Sequence, residues 1–235
     1  MRTVNMTPWQ TPVVHHPLDR TTVHLWRFPL TDTGPIPDLL SADEHQRAGR
    51  FLLPDKAAAF SLARTRLRQI LARYLVCPPQ KITFTTTLNG KPQMIVDMTD
   101  PLFFNLAHAG RWGLCAVTRV AEVGVDLETI SSRLAFEPLA RQFFTADEYG
   151  ALQRVAESRR RRQFYRLWTR KEAWLKGKGG GFSEPDLGLD PAHLAATSAV
   201  AGGWWVKNMP VARGYVGALA VAGTVTRVER WNWCD

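Results

Sequence analysis

The run Phe164-Tyr-Arg-Leu-Trp-Thr-Arg-Lys-Glu-Ala-Trp-Leu-Lys176 sets a carboxylate, Glu172, four residues ahead of an ammonium, Lys176. At about 100° per residue, Phe164, Leu167, Trp168 and Leu175 form one apolar helix face, and Glu172 and Lys176 share its edge. Upstream, Gly124-Val-Asp126-Leu-Glu128 offers two more carboxylates at strand spacing, where residues two apart leave the same face. Three carboxylates and a lysine on two adjoining elements suit a metal site that handles phosphate. Mg²⁺ takes one or two carboxylates, keeps some water and shares phosphate oxygens. Two plainer readings fit the same spacing. Asp126 and Glu128 can lie on a solvated strand face, and Glu172–Lys176 can be an exposed helix ion pair. Trp168 and Trp174 weigh against the second, because they would bury part of the stems.

Other residues carry weaker signals. His108, in Phe103-Phe-Asn-Leu-Ala-His108-Ala-Gly110, follows an apolar strand and is expected at a turn. The small residues beside it would let a phosphate approach the backbone; a structural histidine is the alternative. Asn89-Gly-Lys91-Pro92 is a tight turn bearing a cation, or equally a solvated hairpin tip. The arginines at 159 to 162 invite a nucleic-acid reading, but zinc spacing, a recognition helix and an aromatic-and-basic signature are missing. They form a solvated face or meet an acidic protein. The glycines from 177 to 181 lack the G-x-x-x-x-G-K-[ST] order of a P-loop, and no Ser/His/Asp or Cys/His arrangement stands out.

These residues need elements to hold them. A chain of 235 residues can build one large domain or two small ones. Its balance of apolar and charged residues argues against disorder. No apolar run nears the roughly 18 residues that span a bilayer, and the proline-punctuated N-terminus does not read as a signal. A cytoplasmic, soluble protein is expected. Cys77, Cys115 and Cys234 are odd in number and far apart, so reduced thiols are expected. A net charge of +9 favours an anionic partner.

A Pro- and Thr-rich tail is expected to about Arg20, then a strand from Thr22 to Phe28. Ser41-Ala-Asp-Glu44 is a capping box that starts a helix. A long helix is predicted over Lys56 to Tyr74, stopped by Pro78-Pro79, with strands at Ile82–Thr87, Met94–Val96 and Trp112–Thr118. The stretch from Asp186 to Gly203 reads as loop with short strands, and Trp204–Lys207 with Tyr215–Val221 as a closing hairpin. A constant offset lays Phe60, Thr65, Arg66 and Leu71 on Phe164, Thr169, Arg170 and Leu175, and Gly113, Ala116 and Val117 on Gly217, Ala220 and Val221. An ancient duplication would leave that trace. The expected architecture is two similar α+β halves with the site in the cleft between them.

Taken together the ordered motifs resemble the Sfp-type 4'-phosphopantetheinyl transferases. They are Asn89-Gly-Lys-Pro92, Phe104-Asn-Leu-Ala-His108, Gly124-Val-Asp-Leu-Glu128, Phe143-Phe-Thr-Ala-Asp-Glu-Tyr149 and Trp168-Thr-Arg-Lys-Glu-Ala-Trp-Leu-Lys176. The match covers about Asp43 to Val221. The resemblance implies an α+β pseudo-dimer of two α/β subdomains, divided here as 1–121 and 122–235. It implies an enzyme that moves 4'-phosphopantetheine from coenzyme A to a serine of an acidic apo carrier protein of fatty-acid, polyketide or nonribosomal-peptide synthesis. The product besides the holo carrier is adenosine 3',5'-bisphosphate.

Asp126, Glu128 and Glu172 match the family's Mg²⁺ ligands, with Mn²⁺ as a second acceptable ion. Lys176 matches the lysine beside the pyrophosphate. Asp126, Glu172 and Lys176 would be catalytic, Glu172 also as the candidate base. Lys91 and His108 match residues at the 3'-phosphate and adenosine end of CoA. Gly90 and Pro92 shape the adenine-contacting turn, and Arg47 and Arg64 match further phosphate-binding cations. The family often has Ser-His-Ser where this chain has Ala107-His108-Ala109, so hydroxyl contacts to phosphate are lost around the Ala107 position. A monomer that binds neither nucleic acid nor membrane is implied. The competing readings are a noncatalytic phosphate- or nucleic-acid-binding protein and an inactive relative that only binds carriers.

Overall fold

The computed structural model describes residues 4–12, 17–31, 37–86, 91–94, 100–180, 198–201 and 203–234. Along them run β1 (Asn5–Gln10), β2 (Thr22–Pro29), α1 (Ala42–Ala48), α2 (Pro54–Leu75), β3 (Phe84–Thr86), β4 (Pro92–Met94), β5 (Phe103–Ala109) and β6 (Trp112–Thr118). There follow β7 (Val123–Thr129), α3 (Phe136–Phe143), α4 (Ala146–Gln153), α5 (Glu157–Lys178), β8 (Ser198–Ala201), β9 (Trp204–Met209), β10 (Tyr215–Ala222) and β11 (Arg227–Asn232).

The alternation of apolar residues sorts these elements into layers. One sheet has the order β1-β11-β2-β6-β5 and the other β7-β10-β9-β8, with β3 and β4 as a separate ribbon. Odd and even positions of each strand face opposite ways. On β6, Leu114 and Ala116 join a core between the two sheets, whereas Cys115 and Val117 face Leu67 and Leu71 of α2. On β10, Leu219 and Val221 enter the inter-sheet core, whereas Ala218 and Ala220 face Phe164 and Leu175 of α5. The order of layers is therefore α2, sheet, sheet, α5.

The halves repeat one unit. A strand (β2 or β7) leads to a short capped helix (α1 or α4), a 22-residue helix (α2 or α5) and a hairpin (β5–β6 or β9–β10). The hairpin's second strand pairs antiparallel with the first strand of the unit. Both short helices open with a capping box, Ser41 with Glu44 and Thr145 with Glu148. Each capping glutamate is buried and also reaches the long helix. Glu44 accepts from Arg64 Nε and Arg68 Nε at 2.5 and 2.9 Å, and Glu148 from Lys171 Nζ at 2.7 Å. An unpaired carboxylate at that depth would be costly, so the basic partner is part of the unit.

The duplication read from the sequence survives with one correction. The offset that aligns the long helices keeps Thr65 with Thr169 and Arg66 with Arg170, all four buried. The same offset puts Val117, which faces α2, on Val221, which faces the other sheet. A strand shifted by one residue turns its side chains over, so the strands align one residue earlier, Val117 with Ala220.

Further differences are local. The segment expected as a tail contains β1, which pairs in parallel with β11, and β11 lies between β1 and β2. A division at 121/122 thus assigns β11 to the half whose sheet it does not join. Strand β3 is shorter than its predicted span and β4 begins earlier, at Pro92. His108 lies within β5 rather than at a turn; the reversal comes at Gly110, where φ is 53°. The predicted hairpin is β9 with β10.

Candidate active site

Two glycines bring β7 and α5 together. A Cβ at Gly124 of β7 would collide with the carbonyl oxygen of Ala173 and the amide of Gly177 on α5. A Cβ at Gly177 would meet the Trp204 ring. Only without those atoms can strand and helix touch backbone to backbone. Val123, Val125 and Leu127 then point into the inter-sheet core. By alternation Asp126 and Glu128 point the other way, onto the flank of α5 that carries Glu172 and Lys176.

Lys176 Nζ lies 2.5 Å from Asp126 Oδ1, and Asp126 is almost wholly buried. Its other oxygen, Oδ2, is buried with no hydrogen-bond partner. The Glu128 carboxyl is pushed up to about 7, first by burial, then by the negative charges of Asp126 and Glu172, with Lys176 opposing. Burial likewise raises Glu172; Lys176 opposes this and Asp126 adds to it. Burial acts to lower the Lys176 ammonium, but Asp126, Glu172 and Glu128 outweigh it and hold the group above its usual value.

Three carboxylates thus share one ammonium, and the ionisation of Glu128 and Glu172 is resisted. Among the described residues, no three His, Cys, Asp or Glu side chains already form a group able to hold a metal ion; Asp126 is held by Lys176 instead. An orphaned carboxylate oxygen and two carboxylates whose ionisation is resisted nonetheless fit a divalent cation by their chemistry, since oxygen donors of this kind are what Mg²⁺ takes.

Beside this cluster is a cleft of about 300 Å³ lined by Arg47, Lys91, Pro92, Asn105, Leu106, Lys176, Gly179 and Gly180. Both halves contribute to it. Arg47 projects from α1, exposed, with its guanidinium 5.4 Å from the centre of the Phe60 ring. Lys91 bridges the halves: its Nζ donates to Glu122 Oε2 at 2.6 Å and to the Gly177 carbonyl at 2.9 Å. A cation there also suits the negative end of the α5 dipole. Gly179, left-handed at φ 77°, turns its N–H back to the Leu175 and Lys176 carbonyls and closes the helix.

A neighbouring groove of about 440 Å³ shares Arg47 and adds Arg64 and Arg68, both bonded to Glu44. His108 is exposed on β5. Desolvation lowers its pKa first, and the charges of Lys176 and Lys56 lower it further, so it sits among cations. A separate groove of about 490 Å³ between α4 and α5 is lined by Arg154, Arg159, Arg162 and Arg166, with no carboxylate among the described residues of its walls.

Residues 122–207 match the family model of the 4'-phosphopantetheinyl transferase superfamily, and residues 26–119 match that of the 4'-phosphopantetheinyl transferase N-terminal region. The chain is 35% identical over 219 residues to the 4'-phosphopantetheinyl transferase HetI of Nostoc sp., covering 90% of this chain and 92% of HetI. The chain belongs to the 4'-phosphopantetheinyl transferase superfamily. It is also 31% identical over 146 residues to the transferase Sfp of Bacillus subtilis, covering 62% of this chain and 63% of Sfp. With AcpT of Escherichia coli the identity is 37% over 91 residues, 39% of this chain and 46% of AcpT.

In this transferase Arg47, Lys91, Pro92 and Lys176 line one cleft, and Asp126 meets Lys176. Glu172 is near enough to Glu128 to help raise its carboxyl, and Asp126 acts on both. Arg64 stands apart, bound to Glu44 with little exposure. Ala107 turns its side chain into the inter-sheet core rather than toward the cleft, because it alternates with His108 on β5. Gly90 lies outside the described residues. Three participants carry no role in the sequence reading: Asn105, Glu122 and the Gly124–Gly177 contact. Asn105 and Gly124 sit inside recognised motifs, but what they touch depends on which elements the fold places beside them.

Proposed function

We propose that this transferase moves the 4'-phosphopantetheine group of coenzyme A to a serine of an apo carrier protein and releases adenosine 3',5'-bisphosphate. The observation that supports this most is the ion pair of buried Asp126 with Lys176, with Glu128 and Glu172 at its side, next to a cleft lined by Arg47 and Lys91. Such a site offers cations for a polyanionic donor and carboxylates for a metal and a proton.

In the proposed reaction the serine Oγ bonds to the β-phosphorus of CoA as the bond to the departing 3',5'-bisphosphate breaks. Glu172 takes the hydroxyl proton, directly or through a water. Lys176, kept charged by its acidic neighbours, faces the charge that builds on the leaving oxygens. Arg47, Lys91 and His108 hold the adenosine and 3'-phosphate end. Asp126, Glu128 and Glu172 would hold Mg²⁺, or Mn²⁺, which when bound supplies positive charge against the pyrophosphate.

The acceptor in this reading is acidic. The chain's +9 charge and the unneutralised arginine groove support that choice, since complementary potentials speed encounter. Both walls of the cleft come from one chain, which supports a monomer as the working unit. No helix among the described residues is long and apolar enough to cross a membrane, and a cytoplasmic location belongs to the same reading. The test is intact mass spectrometry of an apo carrier incubated with the chain, CoA and Mg²⁺. A gain of one phosphopantetheine per carrier, lost on chelation, is expected. No gain with several unrelated apo carriers would overturn the proposal.

A further inference from the structure

Asn105 lies midway along β5 and is 5% exposed. Among the described residues, strand β5 is the outermost strand of its sheet and β7 the outermost of the other. Among them β7 has a ladder partner, β10, on one side only. On its open side the Val125 N–H donates to Asn105 Oδ1 at 2.9 Å. Val125 is fully buried, so without this acceptor its amide would be a donor cut off from water. It is also the residue immediately before Asp126.

Asn105 thus pins the edge of one sheet to the edge of the other at the point where the buried carboxylate enters the site. It also lines the cleft with Lys91 and Lys176. The Val125 side chain is locked in the inter-sheet core and β10 holds the far side of the strand. The Asn105 bond fixes the remaining side.

We propose that Asn105 is a positioning residue that sets β7 so that Asp126 presents its unbonded Oδ2 to the metal position. This rests on the reading of Asp126 as a ligand. Groups one step behind a ligand control its aim, and their loss lowers metal affinity or activity by about 10- to 100-fold.

The test compares wild type with Asn105→Ala, Asn105→Asp and Asp126→Ala. Mn²⁺ binding to the CoA-free chain is followed by the electron paramagnetic resonance signal of free Mn²⁺. Exchange of the Val125 amide, thermal midpoint, kcat and the two KM values accompany it. In Asn105→Ala the Val125 amide should lose protection and Mn²⁺ affinity and kcat should each fall by about 10- to 100-fold, with KM for the carrier unchanged. Asn105→Asp keeps an acceptor oxygen in the same place and should restore both protection and affinity.

An Asn105→Ala chain with a lower thermal midpoint but wild-type Mn²⁺ affinity and kcat would overturn the positioning role and leave Asn105 structural. If Asn105→Ala does not fold, Asn105→Asp decides: protection kept with affinity lost overturns the proposal, and both kept supports it. A wild type that binds Mn²⁺ no better than Asp126→Ala would overturn the metal reading itself, a separate failure that takes this inference with it.

Discussion

Lys176 Nζ sits 2.5 Å from Asp126 Oδ1, while Asp126 Oδ2, on the same buried carboxylate, has no hydrogen-bond partner. One oxygen is engaged by the ammonium, and the other has no partner among the described residues, which leaves it available to a cation. A divalent cation should therefore stabilise the CoA-free protein. At ten times its Kd the expected gain is about 1.4 kcal/mol, or a rise in Tm of roughly 3–6 °C for a chain of this size. Thermal melts with and without Mg²⁺ read this directly. Asp126→Ala should show no Mg²⁺ shift and at least about a hundredfold loss of turnover; an undiminished shift in that variant would remove Asp126 from the ligand set.

The close contact of β7 and α5 gives a second prediction. Gly124→Ala puts a methyl group against backbone atoms of Ala173 and Gly177, which cannot swing away as a side chain could. Overpacking of this kind costs about 1–3 kcal/mol, and separating the two elements moves Asp126 from Lys176. Turnover should fall by more than the loss of Tm accounts for, with KM for the carrier unchanged. Gly150→Ala is the matched control. Its Cβ would meet only the flexible end of Arg154, and removing a helix-interior glycine should stabilise by about 0.5–1 kcal/mol. Equal behaviour of the two variants would refute the close-contact argument.

Which parts of this site were legible in the sequence follows from the range of the interactions. Glu172 and Lys176 lie one helical turn apart, and Asp126 and Glu128 lie two apart on a strand, so local periodicity places each pair on a common face. The capping box at Ser41 and Glu44 is equally local, and it is present as read. The docking of Gly124 on Gly177 and the bond from Val125 to Asn105 join distant segments, and no local pattern announces them. Strands β1 and β11 leave no local signal for the same reason. They pair in parallel across nearly the whole chain, with no turn between them to signal a hairpin. The repeat shows both sides: a helix tolerates a near-correct offset, but a strand misaligned by one residue shows the wrong face, as Val117 and Val221 do.

Glu44 provides a pH-dependent test outside the reaction centre. Burial pushes its carboxyl up, but the Ser41 N–H and the guanidinium groups of Arg64 and Arg68 outweigh burial and hold it below its ordinary value of 4.5. A folded pKa below the unfolded one means stability that is present above the unfolded value and lost as pH falls through the folded one. Glu44→Gln should therefore cost about 3 kcal/mol near pH 7 and much less in acid, where wild-type Glu44 is itself protonated. Urea midpoints of both proteins across the acid range should converge as pH falls. Parallel curves would mean that the carboxylate's charge contributes nothing.

The arginine groove between α4 and α5 bears on the choice of acceptor. Arg154, Arg159, Arg162 and Arg166 line it with no carboxylate among its described residues, in a chain of net charge +9. Potential of this kind acts over about 8–10 Å at physiological ionic strength and is screened by added salt. Lys91 in the cleft is largely buried, so on the proposed reading salt should weaken its hold on CoA less. Raising NaCl should therefore increase KM for an acidic carrier more than KM for CoA, with kcat nearly constant. A short uncharged peptide bearing the acceptor serine should show little of the effect. If the two KM values rise in parallel, or the peptide responds as strongly as the carrier, long-range attraction is not what brings the acceptor to the cleft.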